Sequence, residues 1–105
     1  MDLEKLFIQE LFKNREILDV LVKNNVNFIK HILVSYEPKL KAGLKMRLIS
    51  KKDIIEQVNN ITIDTIRKKV QVFYPELFKL ISKAWLEQQI IKAKQLIPEM
   101  LKNFF

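Results

Sequence analysis

The 105-residue chain has no cysteine, one glycine, three prolines and a single histidine. Without cysteine there is no disulfide, no thiolate nucleophile and no cysteine-ligated zinc, so a cytoplasmic setting is the expectation. One glycine cannot build a loop that cradles phosphates or a nucleophile elbow, and no His-Glu-x-x-His helix occurs. His31 has no second histidine to share a metal with and reads as a structural or surface side chain. Asp53 and Glu56 lie one helical turn apart, where capping and the helix dipole account for both. The reading is therefore of a chain that is not an enzyme and carries no cofactor or metal. Charged residues interrupt every apolar run far short of the ~20 residues that span a bilayer. The opening Met-Asp-Leu-Glu-Lys lacks the basic and apolar regions of a signal peptide, so neither export nor a membrane is expected.

Scarce glycine and proline also leave little turn chemistry for a sheet, while Leu, Ile, Lys, Glu and Gln favour helix. An all-α fold follows: four to five helices around one core, in a single domain spanning residues 1–105. Leu3, Phe7, Leu11, Leu18, Leu21 or Val22, Phe28 or Ile29, Ile32 and Tyr36 recur at helical steps. They predict a helical scaffold over 1–36, either one bent helix or two split near Asn24, ending before Glu37-Pro38. Residues 39–49 are ambiguous. Leu40, Leu44 and Leu48 suit a helix, yet Leu40, Ala42, Leu44, Met46 and Leu48 also alternate with basic residues, leaving room for a short β element near 44–49.

Ser50 and Asp53 have capping spacing and open a short helix from about Lys51 to Asn59. After Asn59-Asn60, which tolerate left-handed conformations, Thr62 caps a second helix whose inner face is Ile63, Ile66, Val70 and Phe73. A long helix is expected from Glu76 to near Pro98, with Leu77, Ile81, Ala84, Trp85 and Ile91 inward. An apolar tail of Met100, Leu101, Phe104 and Phe105 follows it. Trp85, Phe73, Tyr74 and Phe78 read as packing residues.

Charge is unevenly spread. The net charge is +7, and residues 38–69 hold nine bases (Lys39, Lys41, Lys45, Arg47, Lys51, Lys52, Arg67, Lys68, Lys69) against Asp53, Glu56 and Asp64, a surplus of six. A concentration of this kind is the footprint expected for a polyanion, because cations near phosphates release condensed counterions. With 16 Lys and three Arg, backbone positioning should outweigh bidentate base reading.

Residues 53–70 contain Asn60, Ile61, Thr62, Ile66, Arg67 and Lys68 at positions that resemble the helix-turn-helix core of bacterial and archaeal DNA-binding domains. Ile55 stands where that pattern has a small residue, and Asn59-Asn60 lengthens the turn by one residue, as in winged-helix proteins. The resemblance implies a basic helix-turn-helix region over 38–74 acting in transcription regulation on double-stranded DNA. Helical geometry independently places Asp64, Thr65, Lys68, Gln71 and Val72 opposite the apolar face, with Arg67 and Lys69 at its flanks. Lys68 and Gln71 are candidates for base edges and Thr62 and Thr65 for bases or phosphates. Arg67, Lys69 and the cations from Lys39 to Lys52 are candidates for backbone. A homodimer joined through Glu76–Phe105 is the expected assembly, and strand over 40–48 would make it a ribbon-helix-helix dimer. The alternative function is a helical adaptor or accessory subunit for a protein partner.

Overall fold

Short polar side chains set the helix starts. Asp2, Asn27, Ser50, Thr62 and Ser82 each accept a hydrogen bond from the backbone N–H three residues on. They open five of the seven helices in the computed structural model, which describes residues 2–104. In chain order these are α1 (Leu3–Lys13), α2 (Leu18–Lys23), α3 (Phe28–Lys45), α4 (Lys51–Asn60), α5 (Ile63–Phe73), α6 (Pro75–Phe78) and α7 (Lys83–Lys102). All-helical character is as expected, but the division of the chain differs.

The 1–36 scaffold is broken after Lys13 as well as near Asn24, so seven helices among the described residues replace the expected four to five, and four further boundaries depart from the sequence reading. First, α3 does not end before Pro38 but runs through it. The ring leaves the Val34 carbonyl without its intrahelical donor, and Val34 is exposed, so water can serve it while Leu40 beyond remains buried. Second, residues 44–49 form no strand among the described residues: α3 continues to Lys45 and closes in a capped turn, which removes the ribbon-helix-helix variant. Third, Asn59 and Asn60 lie inside α4, so the link to α5 is only Ile61-Thr62 and needs no left-handed residue. Fourth, the chain breaks between Phe78 and Lys83, where Ser82 caps α7, and α7 passes through Pro98 to Lys102.

Each long helix buries a stripe. Leu3, Phe7, Ile8 and Leu11 of α1, Ile29, Ile32 and Leu40 of α3, Ile54 and Val58 of α4, and Ile66 and Val70 of α5 converge on α7. There Trp85, Leu86, Ile90, Ala93, Ile97 and Leu101 form the inward face. Ile91 and Ala84, expected inward, are exposed, because the stripe runs through 86, 90, 93 and 97 instead. Phe73 is 66 % exposed at the end of α5, and Tyr74 takes the packing role by stacking on Phe12 with centroids 4.4 Å apart. Leu101 and Phe104 are buried within the chain, so that part of the tail is not an uncovered apolar surface. Phe105 lies outside the described residues.

Two groups of polar contacts tie α3 to its neighbours. Gln89 of α7 is 2 % exposed; its Oε1 accepts from Phe28 N (2.9 Å) and Ile29 N (3.2 Å), and its Nε2 donates to Val26 O (3.0 Å). It thus satisfies the first donors of α3, groups that a helix cannot pair internally. Trp85 Nε1 donates to the same Val26 carbonyl at 3.3 Å. In the second group, Tyr36 Oη donates to Glu10 Oε1 at 2.8 Å, with Lys13 Nζ 3.2 Å from the same oxygen, tying α3 to α1. The hydrogen bond to Glu10, helped by burial, holds the Tyr36 hydroxyl above its ordinary pKa of 10.0, and Glu10 raises Lys13 as well.

Replacing Gln89 by Leu removes both acceptor and donor while keeping the volume, leaving buried backbone groups unmatched at ~1 to 3 kcal/mol each. The expected loss in chemical denaturation is about 2 to 4 kcal/mol, whereas Gln88→Leu on the exposed side should stay within about 0.5 kcal/mol. Equal effects of the two changes would show that the buried amide is not a keystone. A second expectation concerns alkali. Because the folded state raises Tyr36, its contribution is fully present below pH 10.0 and is lost as pH climbs through the higher folded value. Tyr36→Phe should therefore flatten the decline in stability above that pH, measured by denaturant midpoints across an alkaline series.

Candidate nucleic-acid interface

The α4–α5 unit is held by its own caps. Ser50 Oγ accepts from Asp53 N at 3.1 Å. Thr62 and Thr65 form a reciprocal box, with Thr62 Oγ1 accepting from Thr65 N (3.2 Å) and Thr65 Oγ1 from Thr62 N (3.4 Å). Ile61 between the helices is buried, and α4 and α5 both pack on α1 and α7. Thr65 Oγ1 also lies 3.3 Å from Glu4 Oε1, so both threonines expected at the nucleic acid are engaged by the fold.

Several candidate cations are engaged too. Lys69 Nζ sits 2.8 Å from Glu4 Oε2, which raises its pKa chiefly through that hydrogen bond. The Arg67 guanidinium lies 4.9 Å from the Phe78 ring centroid, a cation–π contact that docks α5 on α6. Lys51 Nζ donates to Phe104 O at 2.6 Å, while Lys41 lies over the Phe104 ring and 3.4 Å from Glu37. Lys39 lies over the Tyr36 ring. Lys69, Arg67, Lys51 and Lys41 join separate parts of the bundle while Lys39 contacts only its own helix, and any phosphate would compete with these contacts.

The remaining candidates are unencumbered. Lys45, Arg47, Lys52, Asp64, Lys68 and Gln71 are exposed, and among the described residues no hydrogen bond, ion pair or ring contact engages their side chains. They form two groups. Lys45, Arg47 and Lys52 surround the turn between α3 and α4; Asp64, Lys68 and Gln71 line the outer face of α5. Most of α4, whose ten residues span about 15 Å, lies between the two groups along the chain. The unengaged part of the +6 stretch thus falls into two groups, one at the start of α4 and one on α5.

The α3–α4 turn has a feature the sequence reading missed. Arg47 N donates to Leu44 O (3.2 Å) and Leu48 N to Gly43 O (2.9 Å), the paired bonds of a Schellman cap with Arg47 at its left-handed position, φ 60°. Glycine is the usual occupant, and a residue with a Cβ there costs on the order of 1 kcal/mol. Gly43 itself is close-packed, since a Cβ would fall 3.1 Å from Ile49 Cδ1. On either side of Arg47, Met46 and Leu48 are 69 and 73 % exposed. The alternation of 44–48 with basic residues was visible in the chain, but only the cap turns Met46 and Leu48 outward.

Among the described residues no group of three His, Asp or Glu side chains converges, and no helix is long and apolar enough to cross a membrane. A central cavity of about 50 Å³, lined by apolar side chains such as Phe7, Ile32, Ile66 and Ala93, is far below the roughly 300 Å³ of a ligand pocket. No family model, curated protein sequence or solved structure matches the chain.

Proposed function

We propose that the protein binds double-stranded DNA, with the outer face of α5 in the major groove and the α3–α4 turn against the phosphate backbone. The observation that carries this reading is the pair of unengaged patches, Lys45, Arg47 and Lys52 at one end of α4 and Lys68 and Gln71 beyond the other. With α5 in a major groove roughly 12 Å wide, one patch reaches flanking phosphates while the other faces base edges. Lys68 and Gln71 can hydrogen-bond bases, and Asp64 near the start of α5 can accept from cytosine. A role in transcription regulation would follow from such site selection.

The adaptor reading draws on Val72 and Phe73, exposed by 72 and 66 % at the end of α5, an apolar pair that a protein partner could cover. Pairing of two copies through the segment from Glu76 onward rests on the exposed strip of α7 around Ile91, because Leu101 and Phe104 already pack within the chain. A two-fold of this kind would give two reading heads a fixed spacing.

Four to five phosphate contacts imply that log affinity for duplex DNA falls with log salt at a slope of about −4 in a titration across salt concentrations. Salt-insensitive binding, or none at low salt, would leave the adaptor reading in possession. A second measurement separates reading from anchoring. Lys68→Ala and Gln71→Ala should change discrimination between duplexes by ~1 to 3 kcal/mol, whereas Lys45→Ala and Lys52→Ala should weaken all duplexes alike and make the salt slope shallower by about 1 each. Uniform loss in all four variants would show that α5 is not a reading head.

A further inference from the structure

The turn between α3 and α4 presents three successive side chains, Met46, Arg47 and Leu48, that the bundle does not use. A flexible loop with such residues would be unremarkable in a basic protein. This one is fixed: Gly43 and Leu44 carbonyls hold the backbone, Ile49 packs behind Gly43, and Ser50 starts α4 immediately afterwards. Its base is also tied down, since Lys51 Nζ binds the Phe104 carbonyl and so fastens the start of α4 to the end of α7. An apolar pair is thus held rigidly in water, with an arginine between in a conformation that favours glycine, at the most cationic corner of the chain.

We propose that this turn is a minor-groove wedge: Arg47 enters the groove while Met46 and Leu48 press against a base step, so that the protein bends the DNA it holds. The inference rests on the DNA-binding reading above and adds to it a mode of contact. Three properties fit. Leu and Met are among the apolar side chains that partly unstack base steps, and arginine is favoured by the strong negative potential of a narrow minor groove. Lys45 and Lys52 flank the turn and can neutralise phosphates brought closer by a bend. The rigid cap matters because a wedge on a loose loop would fold aside before it deformed the duplex. An anionic membrane would also meet cations and two apolar tips, yet the turn lacks the aromatic residues that anchor an interface, and it adjoins the α4–α5 unit.

The test is the bend of an end-labelled duplex of about 25 base pairs with a central TA step, measured by energy transfer, beside a mobility shift on the same duplex. The intact protein should bend it by about 20 to 90°. A Met46→Ala, Leu48→Ala variant should still shift the duplex with an unchanged salt slope but leave it straight. Arg47→Gly, which suits the left-handed position and so cannot fail by losing the turn, should lose about tenfold in preference for an A-tract over a G·C duplex. A mobility shift by the intact protein with a straight duplex, or an equal bend in the double variant, overturns the wedge and spares the DNA reading. Absence of any shift removes both. Binding to vesicles of phosphatidylglycerol and phosphatidylcholine that is lost in the double variant, with no bend in the duplex, reassigns the turn to a membrane and overturns the wedge.

Discussion

The buried amide of Gln89 is the constraint on which the arrangement of α3 and α7 depends. A helix N-terminus pointing into a core brings donors that its own backbone cannot satisfy. Here Gln89 supplies the acceptor for Phe28 and Ile29, Asn27 serves Lys30, and the Val26 carbonyl is matched by Gln89 and Trp85 together. Once those bonds are made, the register of α3 along α7 is fixed, because a slip by one residue strands at least one of them. Apolar packing alone would not fix it, since Ile, Leu and Phe tolerate small shifts more readily than a hydrogen bond does. Phe28 then sits between Phe7 and Trp85, linking the same junction to α1.

Acidic residues of α1 complete the frame. Glu10 receives Tyr36 and Lys13, and Glu4 receives Lys69 and Thr65, so one helix binds α3 and α5 through its carboxylates. The acid-rich opening of the chain therefore neutralises part of the basic middle, and what it leaves uncovered is the corner around Arg47 and the outer face of α5. Lys51 and Lys41 are drawn to Phe104 in the same way. A net charge of +7 repels itself, and placing several cations on carboxylates, carbonyls and rings reduces that cost while leaving fewer cations uncovered.

Much of this frame was legible in the sequence. Periodicity identified the inner faces of α1 and α4 and, apart from the exposed Phe73, of α5, and the caps at Ser50 and Thr62 followed from residue type and spacing. The failures have physical causes. Pro38 and Pro98 read as stops because an isolated helix loses roughly 3 kcal/mol at an interior proline, but packing on both sides outweighs the local preference. Asn59-Asn60 looked like a turn because asparagine tolerates left-handed backbone, yet that backbone is used at Asn25 and Arg47 instead. Counting charge located the candidate surface but not its extent, since a lysine's partner is set by tertiary contacts such as Lys69 with Glu4, 65 positions away in the chain. Gln89 was a polar residue within an apolar stripe, the one sequence signal that could have marked the buried junction.

The two left-handed residues show how one backbone solution serves two ends. Asn25 closes α2 with the bonds that Arg47 makes at the end of α3: Asn25 N reaches Val22 O and Val26 N reaches Leu21 O. At the first turn the following residue, Val26, directs its carbonyl inward to Trp85 and Gln89, so the cap delivers a backbone acceptor to the core. At the second turn the following residue, Leu48, contributes no such inward bond beyond the cap itself and points its side chain into water. Asparagine suits the first case because only the backbone is needed. A glycine would serve the second at least as well for the backbone alone, and within the bundle the arginine side chain makes no contact that would favour it over glycine among the described residues.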